Sequence, residues 1–301
     1  MIEFHRINGN DGMNFWRPSL GKRFSDFAEG DLLFFLAKGS NNHISKEKGI
    51  IGYGRFTHAE SLSARQMWTR YENLNGYPTE ELLKQAILRV SKSSTLPPKI
   101  SCLHLKDVVF FQSPLYLSDL GLKISKNVES FIYLDKDDPE MTTKILLKAN
   151  EIGIDFWTSA VSKSNPSTTV FDDDLSWHLL RKIETDLPSL YRLEDQRKAY
   201  RLLSKYKNDH QAVHWLSSLK QALIEFDQNT ITITLAFVSN KSDLAKTLVY
   251  QKGLEQFYLE EAKRWPKLSD IHLKIRHIGE WDLKKELKFN FDMNVIQIIK
   301  G

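Results

Sequence analysis

Asn14-Phe15-Trp16-Arg17-Pro18-Ser19, then Gly30-Asp31-Leu32-Leu33-Phe34-Phe35-Leu36 and Gly49-Ile50-Ile51-Gly52-Tyr53-Gly54, are the stretches on which the reading of the N-terminal half turns. The last two run as strands, bounded by glycine and rich in aromatic and β-branched residues. A glycine on either side of Tyr53 leaves the backbone bare, so a flat ligand can approach it closely. With Asn14, Trp16 and Arg17 upstream, these runs predict a recess for a planar ring.

Working outward, the chain continues through Glu60-Ser61-Leu62-Ser63-Ala64-Arg65-Gln66-Met67-Trp68, the Asn73-Leu74-Asn75-Gly76 turn and a helical stretch from Thr79 to Val90. Ile100-Ser101-Cys102-Leu103 and Leu105-Lys106-Asp107-Val108-Val109-Phe110-Phe111 follow, closed by Pro114. In this order of motifs, residues 1–135 resemble the PUA-like/EVE family of small barrels that read modified nucleobases. The version they resemble stands at the N-terminus of modification-dependent HNH restriction endonucleases. The resemblance implies an N-terminal PUA-like (EVE/SRA-like) mixed β-barrel, and the periodicity beyond it reads as a helical segment and a C-terminal α/β domain, so the expected fold class is α+β. The polar run Asp135-Lys136-Asp137-Asp138-Pro139 marks the expected boundary, leaving 136–301 as an effector or partner-binding domain of unknown function.

A chain of 301 residues, 41% hydrophobic and 27% charged, fits two globular domains. Its longest apolar runs, Leu32–Ala37 and Val108–Phe111, fall far short of the roughly 20 residues that span a bilayer. The N-terminus has no basic segment leading into an apolar one, so the expectation is a cytoplasmic protein without a membrane partner. A single cysteine, Cys102, excludes an internal disulfide and a Cys-rich zinc site, and reads as a buried small residue. The net charge of +4 supports a local basic surface but no extended electrostatic wrap. Affinity for nucleic acid must then come from specific contacts.

Strands are expected at Asp31–Ala37, Gly49–Thr57, Ile100–Leu105 and Val108–Phe111, with helices at Ser63–Asn73 and Thr79–Val90. Further helices are expected at Glu140–Ile152, from Asp172, at Glu194–Tyr206 and at His210–Phe226. The last quarter reads as strand Thr230–Val238, helix Asp243–Trp265, and strands Ile271–Ile278 and Leu287–Ile299.

Reading a modified base in a duplex requires taking it out of the stack and holding it between planar side chains. Trp16, Tyr53 and Trp68 are the planar candidates, with Phe56 behind them. Asn14 and Ser19 are candidates for the base edge, and Arg17 for the flanking phosphate. The plainer alternative is that these aromatics belong to the core. What the resemblance implies is double-stranded DNA carrying 5-methylcytosine or 5-hydroxymethylcytosine, bound by base flipping in a defence or restriction setting.

Residues 136–301 show no HNH arrangement. Their catalytic candidates are Asp173 and Asp174, within an acidic group with Asp172, Glu184 and Asp186, and the pair His210 and His214. Against these stand an acidic helix start favoured by the helix dipole and a half-exposed helix N-terminus near Asp209. Binding needs no metal or cofactor, and Mg2+ enters only if the chain is an endonuclease. Three readings therefore stand: a modified-DNA sensor whose C-terminal domain holds a protein partner, a modification-dependent endonuclease, and an RNA-binding PUA-like protein.

Overall fold

Apolar residues alternating between glycines build a sheet, and two capped helices cover one of its faces. The computed structural model describes residues 1–18, 27–122, 131–136, 138–155, 169–186, 193–227, 230–238, 244–269, 271–279 and 299–300. It divides into two units, Met1–Phe171 and Asp172–Gly301. The class is mixed α+β.

In the first unit the elements run α1 (Ile2–Asn8), β1 (Met13–Arg17), β2 (Leu32–Asn41), β3 (Lys48–Leu62), α2 (Ala64–Tyr71), α3 (Glu80–Ser91), β4 (Ile100–Leu115) and α4 (Met141–Ile152). The sheet order is β1-β4-β3-β2, and every pair is antiparallel rather than mixed. Among the described residues β1 and β2 do not pair. The expected strands at Ile100–Leu105 and Val108–Phe111 are one strand, bent at Asp107, whose φ of 49° is left-handed.

Ser63 starts α2 through a capping box with Gln66, and the Thr79 hydroxyl caps α3 by accepting from the Leu82 N–H. Their buried residues, Met67 and Tyr71 on α2 with Leu83, Ala86 and Ile87 on α3, pack on Trp16, Leu62, Ile100 and Cys102. The alternate residues of the strands point to the other face, where Met13, Phe35, Phe56, Leu103, Leu105, Val108 and Phe110 form a second core.

The boundary expected after Asp135 lies inside this unit. Helix α4 buries Met141, Ile145, Leu146 and Ala149. The segment after it ties to β4, where the Gln112 N–H donates to the Gly153 carbonyl at 2.9 Å and the Asp155 N–H to the Phe110 carbonyl at 2.9 Å. Arg6 donates to Asp155 Oδ2 at 2.8 Å through Nε and at 2.5 Å through Nη2. The polar run, which begins in a 3-10 turn at Leu134–Lys136, stands between β4 and α4 of one unit, and composition cannot distinguish that place from a linker.

The second unit contains α5 (Thr169–Asp186, which starts just ahead of the division), α6 (Leu193–Asp209), β5 (His214–Trp215), β6 (Ala222–Asp227), β7 (Thr230–Phe237), α7 (Leu244–Lys263), β8 (His272–Gly279) and β9 (Ile299–Lys300). Its sheet, in the order β5 to β9, is antiparallel from β5 to β7 and parallel from β7 to β9, with α7 linking the parallel β7 and β8. The helix expected over His210–Phe226 is the hairpin β5–β6. Ser217 turns the chain, and the Leu223-Ile224-Glu225-Phe226 run pairs residue by residue with β7. Of the strand expected at Leu287–Ile299, Ile299 is in β9 and the rest lies outside the described residues.

Candidate functional site

A bulge in β3 creates the polar cluster that stands out in the first unit. Phe56 pairs with Leu105 and His58 with His104, so Thr57 is the extra residue. Thr57 Oγ1 donates to the His104 carbonyl at 3.0 Å and lies 2.8 Å from His104 Nδ1 and 3.1 Å from His58 Nδ1. A hydroxyl has one proton and two acceptor positions. With its proton on the carbonyl, Thr57 accepts from the Nδ1–H of both imidazoles.

Beyond the bulge, strand alternation puts His58, Glu60 and Leu62 on the face that α2 covers. The last turn of α2 carries Arg70 and Tyr71 back over them. Arg70 pairs with Glu60, and the Tyr71 hydroxyl donates to the other Glu60 oxygen. His58 Nε2 stands 3.2 Å from the Tyr71 oxygen and 3.8 Å from Glu60. The Tyr71 ring stacks on His104, centroids 5.3 Å apart and planes at 20°, and the two imidazoles are 5.2 Å apart.

Burial lowers the basicity of His104, helped by His58 and Lys106 and opposed by Glu60. Burial, then the bond to Glu60, holds the Tyr71 phenol well above its ordinary range. The side chains of Arg70 and His58 are 56% and 53% exposed, while that of Glu60 is 19% exposed. The cluster thus offers a carboxylate acceptor, two imidazoles and a guanidinium at the solvent boundary, set around the buried Tyr71. Such a set can hydrogen-bond the edge of a polar heterocycle and hold an adjoining phosphate.

The residues expected to form an aromatic recess do not line one together. Trp16 is 6% exposed in the α2–α3 core and its indole N–H donates to the Asn75 carbonyl at 3.0 Å. Asn14 is fully buried and donates to Asn75 Oδ1 at 2.8 Å. Trp68 packs against the same core. Phe56 belongs to the opposite face. Tyr53 is fully buried against Phe34 and Phe111. Arg17 reaches the Phe131 ring, 6.0 Å away, and Ser19 lies outside the described residues.

The glycines explain the error. A Cβ at Gly52 would stand 2.2 Å from the Val109 carbonyl, and one at Gly54 3.0 Å from Leu105. The bare backbone beside Tyr53 admits strand β4, not a ligand.

In the second unit Asp172, Asp173 and Asp174 open α5 at successive positions, which point in different directions around a helix. Asp173 is pushed up to about 6 by burial, then by Asp174 and Asp172. Glu184, 1% exposed, is pushed up to about 7 by burial against the pull of Ser217 and Arg181. The side chain of Asp186 is outside the description. His210 and His214 share no helix face: His210 follows α6 and stacks on Tyr206 at 4.0 Å, and His214 sits on β5 near Trp177. Among the described residues no group of three or more His, Cys, Asp or Glu is placed to hold a metal ion. No described helix is long and apolar enough to cross a membrane. Cys102 is fully buried, its thiol pushed up to about 11 chiefly by burial.

Sequence reading missed Thr57, His58, Glu60, Arg70, Tyr71 and His104. The signal was present as polar residues in Thr57-His58-Ala59-Glu60 and a histidine beside the expected strand Ile100–Leu105. What was absent was the register that sets His58 opposite His104.

No known family's sequence profile matches the chain, and no curated protein matches it. Among solved structures, a point mutant of the ASCH protein from Zymomonas mobilis aligns with 48% of this chain and 91% of its own length, at 16% identity and a TM-score of 0.34.

Proposed function

We propose that the first unit is a PUA-like module that reads modified cytosine in double-stranded DNA. In this reading a flipped base meets Glu60, His58 and His104 at the edge of the Tyr71 ring, and Arg70 takes the adjoining phosphate. The observation that supports it is the Glu60 cluster. A cytosine edge offers an amino donor, which a carboxylate accepts. The motif order supports the same class, including the helices placed between β3 and β4. A methyl or hydroxymethyl group adds only about 1–3 kcal/mol of discrimination by fit, so the polar edge carries recognition of the base and the fit carries recognition of the modification. Barrel closure and a defence or restriction role belong to this proposal, as does a protein partner for the second unit.

Fluorescence anisotropy with the full chain and EDTA present tests it. We expect a labelled duplex with one 5-methylcytosine or 5-hydroxymethylcytosine to bind without metal. RNA carrying the same base should compete more weakly than DNA. RNA that competes better would move the assignment to an RNA-binding role. Cleavage of modified plasmid on adding Mg2+ would make the chain an endonuclease.

A further inference from the structure

Helix α6 turns Ala199, Leu203 and Tyr206 inward and leaves Arg197, Tyr200 and Arg201 exposed. The β5–β6 turn forms the opposite wall of a groove. Ser217 Oγ accepts from the Leu219 N–H at 3.0 Å, and its carbonyl accepts from the Lys220 N–H at 3.2 Å. Lys220 is left-handed at φ 54°, which completes the turn and presents Leu219 and Lys220 to α6.

The groove measures about 440 Å³ and is lined by Arg197, Arg201, Lys220, Tyr200, Leu219 and two glutamines, Gln196 and Gln221, around Ala199. Among the described residues no acidic side chain lines it. Among the described residues, Arg197, Arg201 and Lys220 form no ion pair. Tyr200, 46% exposed, is held flat against Trp215, with centroids 5.6 Å apart and planes at 5°.

Two like charges four residues apart destabilise a helix, and an exposed ring stacked on a nearly buried tryptophan is a preformed platform. Arg197 and Arg201 are separated by about 6 Å along the helix axis, so they can meet successive phosphates of one strand. An acidic peptide would use the cations but not the flat ring.

We propose that this groove binds a single strand of nucleic acid, an unpaired base stacking on Tyr200 and the flanking phosphates meeting Arg197, Arg201 and Lys220. The proposal does not rest on the modified-cytosine reading, since it concerns unmodified bases and the other unit.

The test titrates the full chain with labelled unmodified oligothymidine and oligouridine, which separate DNA from RNA as the source. Tyr200→Ala should weaken binding about 10-fold for whichever strand binds, while Tyr200→Phe stays within about 2-fold. The pair Arg197→Gln and Arg201→Gln should flatten the dependence of log K on log salt by about 1.4. Both arginines are exposed, so this pair decides the matter if Tyr200→Ala fails to fold. An unchanged affinity for Tyr200→Ala, or an unchanged salt slope for the arginine pair, overturns the proposal. So does displacement of the strand by polyglutamate at equal charge.

Discussion

Asn75, itself at zero exposure, accepts from Asn14, donates to the Met67 carbonyl at 3.1 Å and the Glu72 carbonyl at 2.8 Å, and accepts from the Trp16 indole at its own carbonyl. Replacing it with alanine orphans several buried groups at once. Asn75→Ala should therefore destabilise the first unit by about 2–3 kcal/mol in urea unfolding, and a loss under 1 kcal/mol would mean that water fills the site. Trp16→Ala should cost about 3–5 kcal/mol as a core truncation, with affinity for modified and unmodified duplexes falling together. A selective loss on the modified duplex would instead return Trp16 to the base. Asn14, Trp16 and the Asn73–Gly76 turn were thus legible as a special region. Their chemistry was not, because the same aromatic and amide groups that hold a ligand also hold a buried turn, and only the partners distinguish the two.

Helix ends were legible for a local reason. Ser63 and Thr79 sit just ahead of amphipathic runs, and a cap is decided within three or four residues. The hairpin β5–β6 was not, since Ala222–Asp227 becomes a strand only by pairing with β7, and short apolar runs fit helix or strand equally. The same locality gives a prediction at the end of α3, where Lys92 is left-handed at φ 52°. Glycine takes that conformation without strain. Lys92→Gly should stabilise the first unit by about 1 kcal/mol, seen as a rise in its thermal midpoint. A fall would mean that the lysine side chain contributes there.

Across the whole molecule, the two units should respond differently to acid. Burial, then the terminal ammonium, lowers His5 to about 4 in the first unit, and His104 is lowered too. Each binds a proton more readily unfolded, so stability is intact above about pH 6.5 and falls as pH drops from there toward 4. For fully buried His5 the loss amounts to about 3 kcal/mol at the low end. In the second unit His277, also lowered to about 4 by burial, acts in the same direction. Asp173 and Glu184, raised to about 6 and about 7, act oppositely and regain stability as they protonate below those values. Calorimetry at pH 7 and pH 5 should show the first unit's transition falling more than the second's, and equal shifts would contradict the assignment. The division at Phe171 also predicts that a 1–171 fragment is soluble, whereas 1–135 lacks α4 and aggregates. The size of the chain showed two units, but their border depended on packing of α4 that no compositional shift reveals. The most direct test of the account is a binding ratio, measured for the full chain and for Glu60→Gln on two duplexes identical except for one modified cytosine. We expect the parent to prefer the modified duplex and Glu60→Gln to lose affinity for it by about 5-fold or more, with its fold intact by thermal melting. Equal binding of the parent to both duplexes, or an unchanged ratio and affinity in Glu60→Gln, would contradict it.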